Sequence, residues 1–476
     1  MYEKATVQST AYLDGLRGIA ALVVFTFHTL WAYCGFVEYG YGDGPKNHHF
    51  LQLPFIRLIH AGHAMVPIFF VVGGYVMALK PLRRIRANEV QGLHFQLAGS
   101  VFRKAMRLYI PAIVTTFVSM LTLRLGLWEY PRHFIMNPRL FNYPDKHPPR
   151  APTLVAELGR WAGAAVDLGR VFSYVNDGFV LPWFNPYDPH LWTLPFEMRS
   201  TLAVAAALLA ISRCRRAALR IALVAAAVVF ACYLDRWECA LFLSGTLLAD
   251  FELSFLHDDD DPYAALVSPK PSPPLTTTTL AVLLLLFLPS LYLLSTPNLR
   301  IAHTHPFGYS LLATHLVPPT ITDPKRFLHG LGAILLLASL LLWAPLRRPF
   351  TTRLATAAGK RSYSLYLVHG PILHVVGYGV AGRVWTALGF ATGFSRQMVS
   401  LEVARAERMR WAAGAGAGAV CAWGCAWWVA GVLERAVGGR RVGRWAERLE
   451  GWVCGRRGKG SGMAGVEGER GRELPR

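Results

Sequence analysis

Residues 12–31, YLDGLRGIAALVVFTFHTLW, decide the fold class, because a long apolar run here carries only a few ionisable groups. The run matches the roughly 20 residues that an α-helix needs to cross a bilayer. A backbone inside hydrocarbon must satisfy its own hydrogen bonds, so the segment is predicted to be a membrane-spanning helix. Uncharged runs also occur at residues 201–211, 280–294 and 330–346.

Composition and charge favour a multi-pass membrane protein. Of the 476 residues, 53% are apolar and 16% are charged, whereas a soluble globular chain carries about 25% charged residues. The formal net charge of +20 would suggest nucleic-acid binding in a soluble chain. Here Lys and Arg cluster at the ends of apolar runs, which is typical of loops that remain in the cytosol. We therefore expect a lipid bilayer, and no nucleic acid, as the partner.

Hydropathy predicts an all-α, polytopic helix bundle with about ten spans. The predicted spans are residues 12–34, 62–79, 108–125, 191–212, 218–234, 237–253, 278–296, 328–346, 362–384 and 411–433. Basic clusters at residues 80–107, 213–220 and 347–361 place these segments, and both termini, in the cytosol. Counting residues 306–321 as a span would move the third cluster outside. That segment is therefore predicted to be a short re-entrant or interfacial helix on the outer side.

Three regions follow from this topology: a cytosolic N-terminus at residues 1–11, a membrane domain at 12–433 and a basic cytosolic tail at 434–476. Trp445 and Trp452 are candidates to anchor the tail at the membrane interface, and its last 20 residues are predicted to be disordered. Residues 254–275, with four consecutive aspartates, are predicted to be a solvated linker. The membrane is expected to be that of the endoplasmic reticulum or Golgi, or the plasma membrane.

Cysteine spacing and the outer loop add two expectations. The seven cysteines show no CxxC pair, so neither a metal site nor a disulfide framework is predicted. Residues 126–190 form a long outer loop that ends in WFNPYDPHLW, residues 183–192. This loop either contacts a polar acceptor molecule or only caps the bundle.

Ionisable residues inside spans are costly and are candidates for function. Arg17 and His28 are 11 positions apart, almost three helical turns, so they share one face and are separated by roughly 16 Å. Asp14 lies near the same face and can pair with Arg17. His28 could instead only hydrogen-bond a neighbouring helix.

Glu197, in HLWTLPFEMRS at residues 190–200, is the second candidate. By the predicted topology it lies about 9 Å below the outer surface, at a depth similar to that of His28. A carboxylate and an imidazole at one depth can form a base and its orienting partner. The alternative is that Glu197 pairs with Arg199 at the interface.

Two further segments carry basic residues at the predicted cytosolic ends of spans. Lys104 and Arg107 lie in FRKAMRLYIP, residues 102–111, and Arg361 lies in GKRSYSLYLVHGPI, residues 359–372. Such groups bind lipid head groups or the phosphates of a nucleotide. His369, in the second segment, is expected in the inner half of the membrane with a structural hydrogen-bonding role.

Five segments, in order, resemble the acyltransferase-3 family of membrane O-acyltransferases, particularly its fungal members. They are LDGLRGIAALVVFTFH, VPIFFVVGGYVM, FRKAMRLYIP, LWTLPFE and RSYSLYLVHGPI. The family's Arg-x10-His signature falls on Arg17 and His28, and its Arg-x-x-Arg motif falls on Lys104 and Arg107. Lys in place of Arg keeps the charge but loses the bidentate fork that Arg offers to a phosphate.

The resemblance implies transfer of an acyl group from acyl-CoA to a hydroxyl of a sugar, glycolipid or secondary metabolite, with no permanently bound cofactor. His28 would act as a general base or carry the acyl group itself. Glu197 would orient it. A basic ring at the cytosolic mouth is expected to bind the CoA phosphates and comprises Arg17, Lys104, Arg107 and Arg361.

The sequence is also compatible with other classes of function. A transporter or lipid flippase would also place His, Arg and Glu inside the membrane. Such proteins often contain internal repeats, but the LDGLRG and YSLYLVHG segments have no counterparts in the other half of the chain. A soluble-type serine hydrolase is not favoured, because the G-x-S-x-G elbow is absent from the sequence. A catalytically inert scaffold is the remaining alternative.

Overall fold

The computed structural model describes residues 10–138, 140–146, 148–173, 184–256, 276–299, 306–390 and 401–453. The fold is an all-α bundle, as predicted. An isolated bridge pairs Asn185 with Asp188. The helices are α1 (Ala11–Tyr33), α2 (Gly62–Arg86), α3 (Leu93–Arg124), α4 (Glu129–Ile135), α5 (Leu154–Leu168), α6 (Thr193–Ala210), α7 (Ala217–Tyr233), α8 (Trp237–Phe251), α9 (Thr277–Val282), α10 (Leu288–Leu294), α11 (Tyr309–His315), α12 (Pro324–Leu342), α13 (Arg353–Ile372), α14 (Tyr378–Ala387), α15 (Leu401–Val437) and α16 (Gly439–Val453).

The chain is an integral, multi-pass membrane protein. Among the described residues, seven segments are long and apolar enough to cross a bilayer, namely α1, α2, α3, α8 with the π-helical turn that follows it, α12, α13 with α14, and a stretch from α15 into α16. Two shorter apolar helices, Ala217–Tyr233 and Thr279–Leu294, lie at two more predicted spans. With α6, each of the ten predicted positions holds a helix. The count of ten spans itself stays a prediction.

Two helices begin well before the predicted inner boundary of their span. The third span was predicted at 108–125, but α3 already begins at Leu93. The ninth was predicted to begin at residue 362, but α13 begins at Arg353. Polar residues extend these helices because they find partners on neighbouring helices, as Arg103 of α3 does with Glu450 of α16. Hydropathy therefore located the apolar part of each helix and not its end.

The segments outside the spans contain more structure than predicted. The outer loop at 126–190 contains α4 and α5, and the Thr153 hydroxyl accepts a hydrogen bond from the Ala156 backbone N–H at the start of α5. Residues 306–321 contain the seven-residue helix α11. The predicted tail contains the amphipathic helix α16, on which Trp445 is 54% and Trp452 81% exposed. Most of the predicted linker and the last 20 residues lie outside the described residues.

Helix α1 lies at the centre of the bundle and belongs to both large apolar clusters. Leu13 and Leu16 pack in the cluster built with α2, α8 and α12. Phe25 and Ala21 pack in the cluster built with α13, α14 and α15. Because α1 has neighbours on both sides, any polar group that it carries at mid-membrane faces other helices rather than lipid alone.

Glycines allow α1 and α13 to approach closely. A Cβ atom at Gly18 would lie 2.3 Å from the Gly359 backbone nitrogen, and a Cβ atom at Gly359 would lie 2.2 Å from the Asp14 carbonyl oxygen. Distances below 3.0 Å require the backbone to move, so both positions need a residue without a side chain. This contact fixes the half of α13 that leads to His369 beside the half of α1 that leads to His28.

Replacing Gly359 by Val should therefore separate α1 from α13. We expect a loss of about 1–3 kcal/mol of stability, as for other overpacked sites, measured as a lower melting temperature of the detergent-purified protein. Gly424→Val on α15 is the matched control, because nothing lies within 4 Å of a Cβ atom there. Equal melting temperatures for the two variants would contradict the proposed contact.

Candidate active site at a buried histidine cluster

Three histidines from three separate segments meet inside the bundle. The Nδ1 atom of His28, on α1, lies 3.2 Å from the Nε2 atom of His190, in the turn that precedes α6. The ring of His369, on α13, lies 5.3 Å from that of His28 and 4.4 Å from that of His190, between centroids. His190 and His369 are buried and His28 is half-buried.

Asp188 fixes the orientation of His190. Its side chain is buried, and its Oδ1 atom accepts one hydrogen bond from the His190 backbone N–H at 3.0 Å and one from the ring Nδ1 atom at 2.9 Å. We assign the His190 proton to Nδ1 because a carboxylate can only accept. His190 Nε2 then accepts from His28 Nδ1, and Nε2 of His28 keeps its lone pair.

The close approach of His190 to α13 depends on Gly370. A Cβ atom at this position would lie 2.4 Å from His190 Nδ1 and 2.9 Å from Asp188 Oδ1. The hydroxyl of Tyr366, one turn earlier on α13, donates to the His190 carbonyl oxygen. Helix α13 therefore holds both the backbone and the ring of His190 against His28.

A second carboxylate, Asp145 of the outer loop, lies beside the same cluster. Its Oδ2 atom is 2.9 Å from His374 Nε2 and 3.5 Å from His190 Nε2. Burial would raise the pKa of Asp145, but His190 and His374 outweigh it and hold that pKa well below its usual range. Burial would lower the pKa of His190, but Asp145 and Asp188 outweigh it and raise that pKa above its ordinary value.

His369 lies closer to His28 than the two predicted depths suggest. It was predicted in the inner half of the membrane, roughly 10 Å from the cytosolic end of its span, whereas His28 was predicted in the outer half. Their ring centroids are 5.3 Å apart, and α13 begins at Arg353, sixteen residues before His369. Its Nδ1 atom hydrogen-bonds the Tyr366 carbonyl oxygen at 2.7 Å, in line with the expected structural bond. Its Nε2 atom is buried and has no hydrogen-bond partner among the described residues.

The spacing of the three histidines is also compatible with metal binding. One ring nitrogen from each of His28, His190 and His369 lies within 4.8 Å of the other two, so the three could together hold a metal ion. His28 Nδ1 and His190 Nε2 are joined by a hydrogen bond at 3.2 Å, which requires no metal. The expectation of no metal site remains a prediction.

Glu197 contacts Lys104 rather than His28. The Lys104 ammonium on α3 and the Glu197 carboxylate on α6 form an ion pair, and both side chains are about one-third exposed or less. Arg199, the alternative partner of Glu197, instead pairs with Glu238 at 2.9 Å. His28 instead contacts His190, seven residues before Glu197, so Glu197 lies about 10 Å further along this segment. The expected equal depth of His28 and Glu197 therefore did not identify the partner of Glu197.

The four residues predicted to form a basic ring have different neighbours. Arg17 lies 3.7 Å from Asp14, and the unbroken helix α1 keeps Arg17 on the face of His28, about 16 Å away along the axis. Lys104 pairs with Glu197 of α6. The Arg107 guanidinium lies against the backbone of α16 at Gly443, and that of Arg361 lies 4.6 Å from the Trp427 ring centroid on α15.

Sequence reasoning missed the roles of Asp145, Asp188 and His190. The segment WFNPYDPHLW was interpreted either as a contact for an acceptor or as part of a loop that caps the bundle. Its Asp-Pro-His order was a usable signal, because Asp at the N-cap of a helical turn with Pro next to it commonly begins a helix. His190, two residues after this cap, is held by the same carboxylate.

Comparisons with known proteins match most of the chain. The model of the Acyl_transf_3 family, described as an acyltransferase domain, matches residues 10–426. The O-acetyltransferase PaAT-1 of Phomopsis amygdali is 31% identical over 398 residues, which cover 81% of this chain and 77% of the relative. Acyltransferase R4 of a Phoma species is 26% identical over 430 residues (81% and 88%), and acyltransferase clz18 of Cochliobolus lunatus is 24% identical over 413 (80% and 86%). No solved structure matches.

The pair between Lys104 and Glu197 can be tested by a double-mutant cycle. Lys104→Met should lower the melting temperature because Glu197 loses its cation, and adding Glu197→Gln should recover part of the loss. We expect a coupling of roughly 0.5–1 kcal/mol, since both groups are partly exposed. Lys80→Met, at an exposed position of α2, serves as the control. Additive effects of the two substitutions would show that the pair does not contribute.

Proposed function

The chain belongs to the acyltransferase-3 family and is a membrane O-acyltransferase, and on this basis we propose that it transfers an acyl group from acyl-CoA to an acceptor hydroxyl. The acceptor is a sugar, a glycolipid or a secondary metabolite. The acyl group is acetyl, since a relative with 31% identity is named an O-acetyltransferase. Acyl-CoA binds as a substrate and leaves as free CoA, so it is not a bound cofactor.

The observation that supports this proposal is the hydrogen-bonded series from Asp188 through His190 to His28. Each ring donates from Nδ1, His190 to the carboxylate and His28 to the next imidazole. The Nε2 atom of His28 is then the free base, as in other sites where a nucleophile is activated by an oriented histidine. A buried carboxylate at the end of the series stabilises the imidazolium that forms when His28 takes a proton.

The reaction then proceeds with His28 as general base. Nε2 of His28 removes the proton of the acceptor hydroxyl as the oxygen attacks the thioester carbonyl carbon. The carbonyl is restored when the carbon–sulfur bond breaks. The thiolate of CoA takes the proton from the His28 imidazolium, which gives the ester and free CoA. His190 and Asp188 are positioning residues, because in this proposal they act only through His28.

The donor is proposed to enter from the basic cytosolic side, and the acceptor from the side of the outer loop. Both termini are then cytosolic, in a membrane of the secretory pathway or the plasma membrane. Arg17, on the face of His28, and Arg107 are candidate contacts for the CoA phosphates. Glu197 is assigned to holding Lys104 and α6 in place, which departs from its expected role beside His28.

His28→Ala should remove the general base and reduce turnover by about 10²–10⁴-fold. The assay is transfer of label from radiolabelled acetyl-CoA to an extractable product in isolated membranes. His133→Ala, an exposed histidine of α4, is the matched control and should retain activity. Membrane insertion and the gel-filtration profile should be unchanged in both. Turnover in His28→Ala near the wild-type rate would refute the proposed role.

The pH profile tests the positioning role of His190. When His190 is protonated, its Nε2 atom donates to His28 Nδ1, and the His28 proton moves to Nε2, where the base is needed. The rate should therefore fall as the pH falls through the His190 pKa, which Asp145 and Asp188 raise above its ordinary value against burial. Two other titratable groups that face the His190 ring are His28 on α1 and His369 on α13.

Asp188→Asn should lower kcat and move this acid limb of kcat/KM to lower pH by about one unit, because one of the two negative charges is removed. The measurement is the full profile with acetyl-CoA for the variant and the wild type. A lower kcat with an unmoved limb would show that Asp188 supports the fold without acting on His190.

A further inference from the structure

A basic groove lies between α3 and the terminal helix α16. Helix α16 folds back onto α3, with Val442 and Ala446 buried in the contact. The groove beside this contact has a volume of about 870 Å³, within the range of small-molecule sites. It is lined by Ile110, Ala436, Val437, Arg441, Val442, Arg444, Trp445 and Arg448.

Three guanidinium groups line this groove without a balancing carboxylate. Arg441, Arg444 and Arg448 are spaced three and four residues apart, so they lie along one face of α16. None of them pairs with a carboxylate among the described residues, whereas Arg103 nearby on α3 pairs with Glu450. Three unbalanced positive charges in one concave site favour an anion with several negative charges.

The groove adjoins Arg107, which is a candidate contact for the CoA phosphates. A Cβ atom at Gly443 would lie 2.4 Å from Arg107 Nη2, so this guanidinium lies directly against α16. Ile110, three residues further along α3, lines the groove. Arg107 therefore adds a fourth positive charge at the edge of the groove on the side of the bundle.

We propose that this groove binds the phosphorylated adenosine end of the CoA donor, an inference that rests on the proposed function. The guanidinium groups pair with the phosphates, and the half-exposed Trp445 ring offers a surface on which the adenine stacks. Ile110, Val437 and Val442 supply the apolar part of the lining.

The position of the groove suits a donor whose thioester reaches His28. The Tyr363 hydroxyl of α13 donates to the Leu108 carbonyl oxygen of α3, which places these two residues at one level. His369, beside His28, lies six residues further along α13, or about 9 Å along its axis. The pantetheine arm is a flexible chain that ends in the thioester. In this proposal it spans the distance between the groove and the histidine cluster.

Anionic lipid head groups are the other source of phosphate. A helix that only binds a membrane surface directs its basic residues towards that surface. Here three arginines line a concave site together with Trp445, while Trp452, which is 81% exposed, is not part of the lining. The arrangement therefore favours a bound nucleotide, and lipid binding is an outcome that the experiment can reveal.

The test compares two triple variants that remove the same charge. Arg441→Gln, Arg444→Gln and Arg448→Gln together should raise the KM for acetyl-CoA at least tenfold and leave kcat within about twofold, since the groove binds the donor far from the reacting atoms. Arg213→Gln, Arg215→Gln and Arg216→Gln, all exposed in another predicted cytosolic segment, are the control and should leave KM unchanged. Arg444→Gln alone should give a smaller rise if the triple variant does not fold.

Acetyl-dephospho-CoA, which lacks the 3′-phosphate, distinguishes the two sources of phosphate. Wild type should use it with a higher KM than acetyl-CoA, and the groove variant should lose this preference. An unchanged KM for acetyl-CoA in the groove variants overturns the inference. If the groove variants with an unchanged KM also lost a response to phosphatidylserine in reconstituted vesicles, the groove would be assigned to lipid binding.

Direct binding separates this inference from the proposed function. CoA binding to purified His28→Ala should match that of wild type, and binding to the groove variant should be weaker at least tenfold. If His28→Ala kept full turnover, the general-base role would fail while the binding result for the groove would stand. If the groove variant bound CoA normally, only the groove inference would fail.

Discussion

The geometry of the site depends on a carboxylate buried inside a helical bundle. The Asp188 side chain is only 2% exposed, and a charge removed from water in this way requires hydrogen-bonded partners. It finds them in the backbone and ring of His190, and this sets the tautomer of that ring and directs it at His28. The arrangement fits only because Gly370 has no side chain. One buried charge thus determines which nitrogen of His28 is free to react.

Properties that depend on local sequence were predicted correctly. The positions of the helices follow from apolar runs, because a backbone in hydrocarbon has few alternatives to a helix. The shared face of Arg17 and His28 follows from helical periodicity within one unbroken element, α1. The five short segments that resemble the acyltransferase-3 family are likewise local, and the family match at residues 10–426 agrees with them.

Properties that depend on contacts between distant segments were not predicted. His28 and His190 are 162 residues apart, and no periodicity relates them. Depth was estimated separately for each span, and the estimates placed His28 in the outer half and His369 in the inner half, yet their rings lie 5.3 Å apart. Glu197 was expected at the depth of His28, but His28 contacts His190, seven residues before Glu197, and the Glu197 carboxylate pairs with Lys104. Packing between helices decides these contacts, and a single sequence does not reveal it.

The Lys104 that departs from the family's Arg-x-x-Arg motif gains a physical explanation from its partner. An ammonium is a compact point charge that suits one carboxylate, whereas a guanidinium suits the bidentate binding of phosphate. Lys104 pairs with Glu197 on α6, four residues after Thr193, the first residue of this helix, and His190 lies in the turn that precedes it. Arg107, one turn further along α3, faces α16 and the groove. Helix α3 therefore links the two ends of the site. Its Lys104 anchors α6, the helix that follows His190, and its Arg107 faces the proposed donor groove.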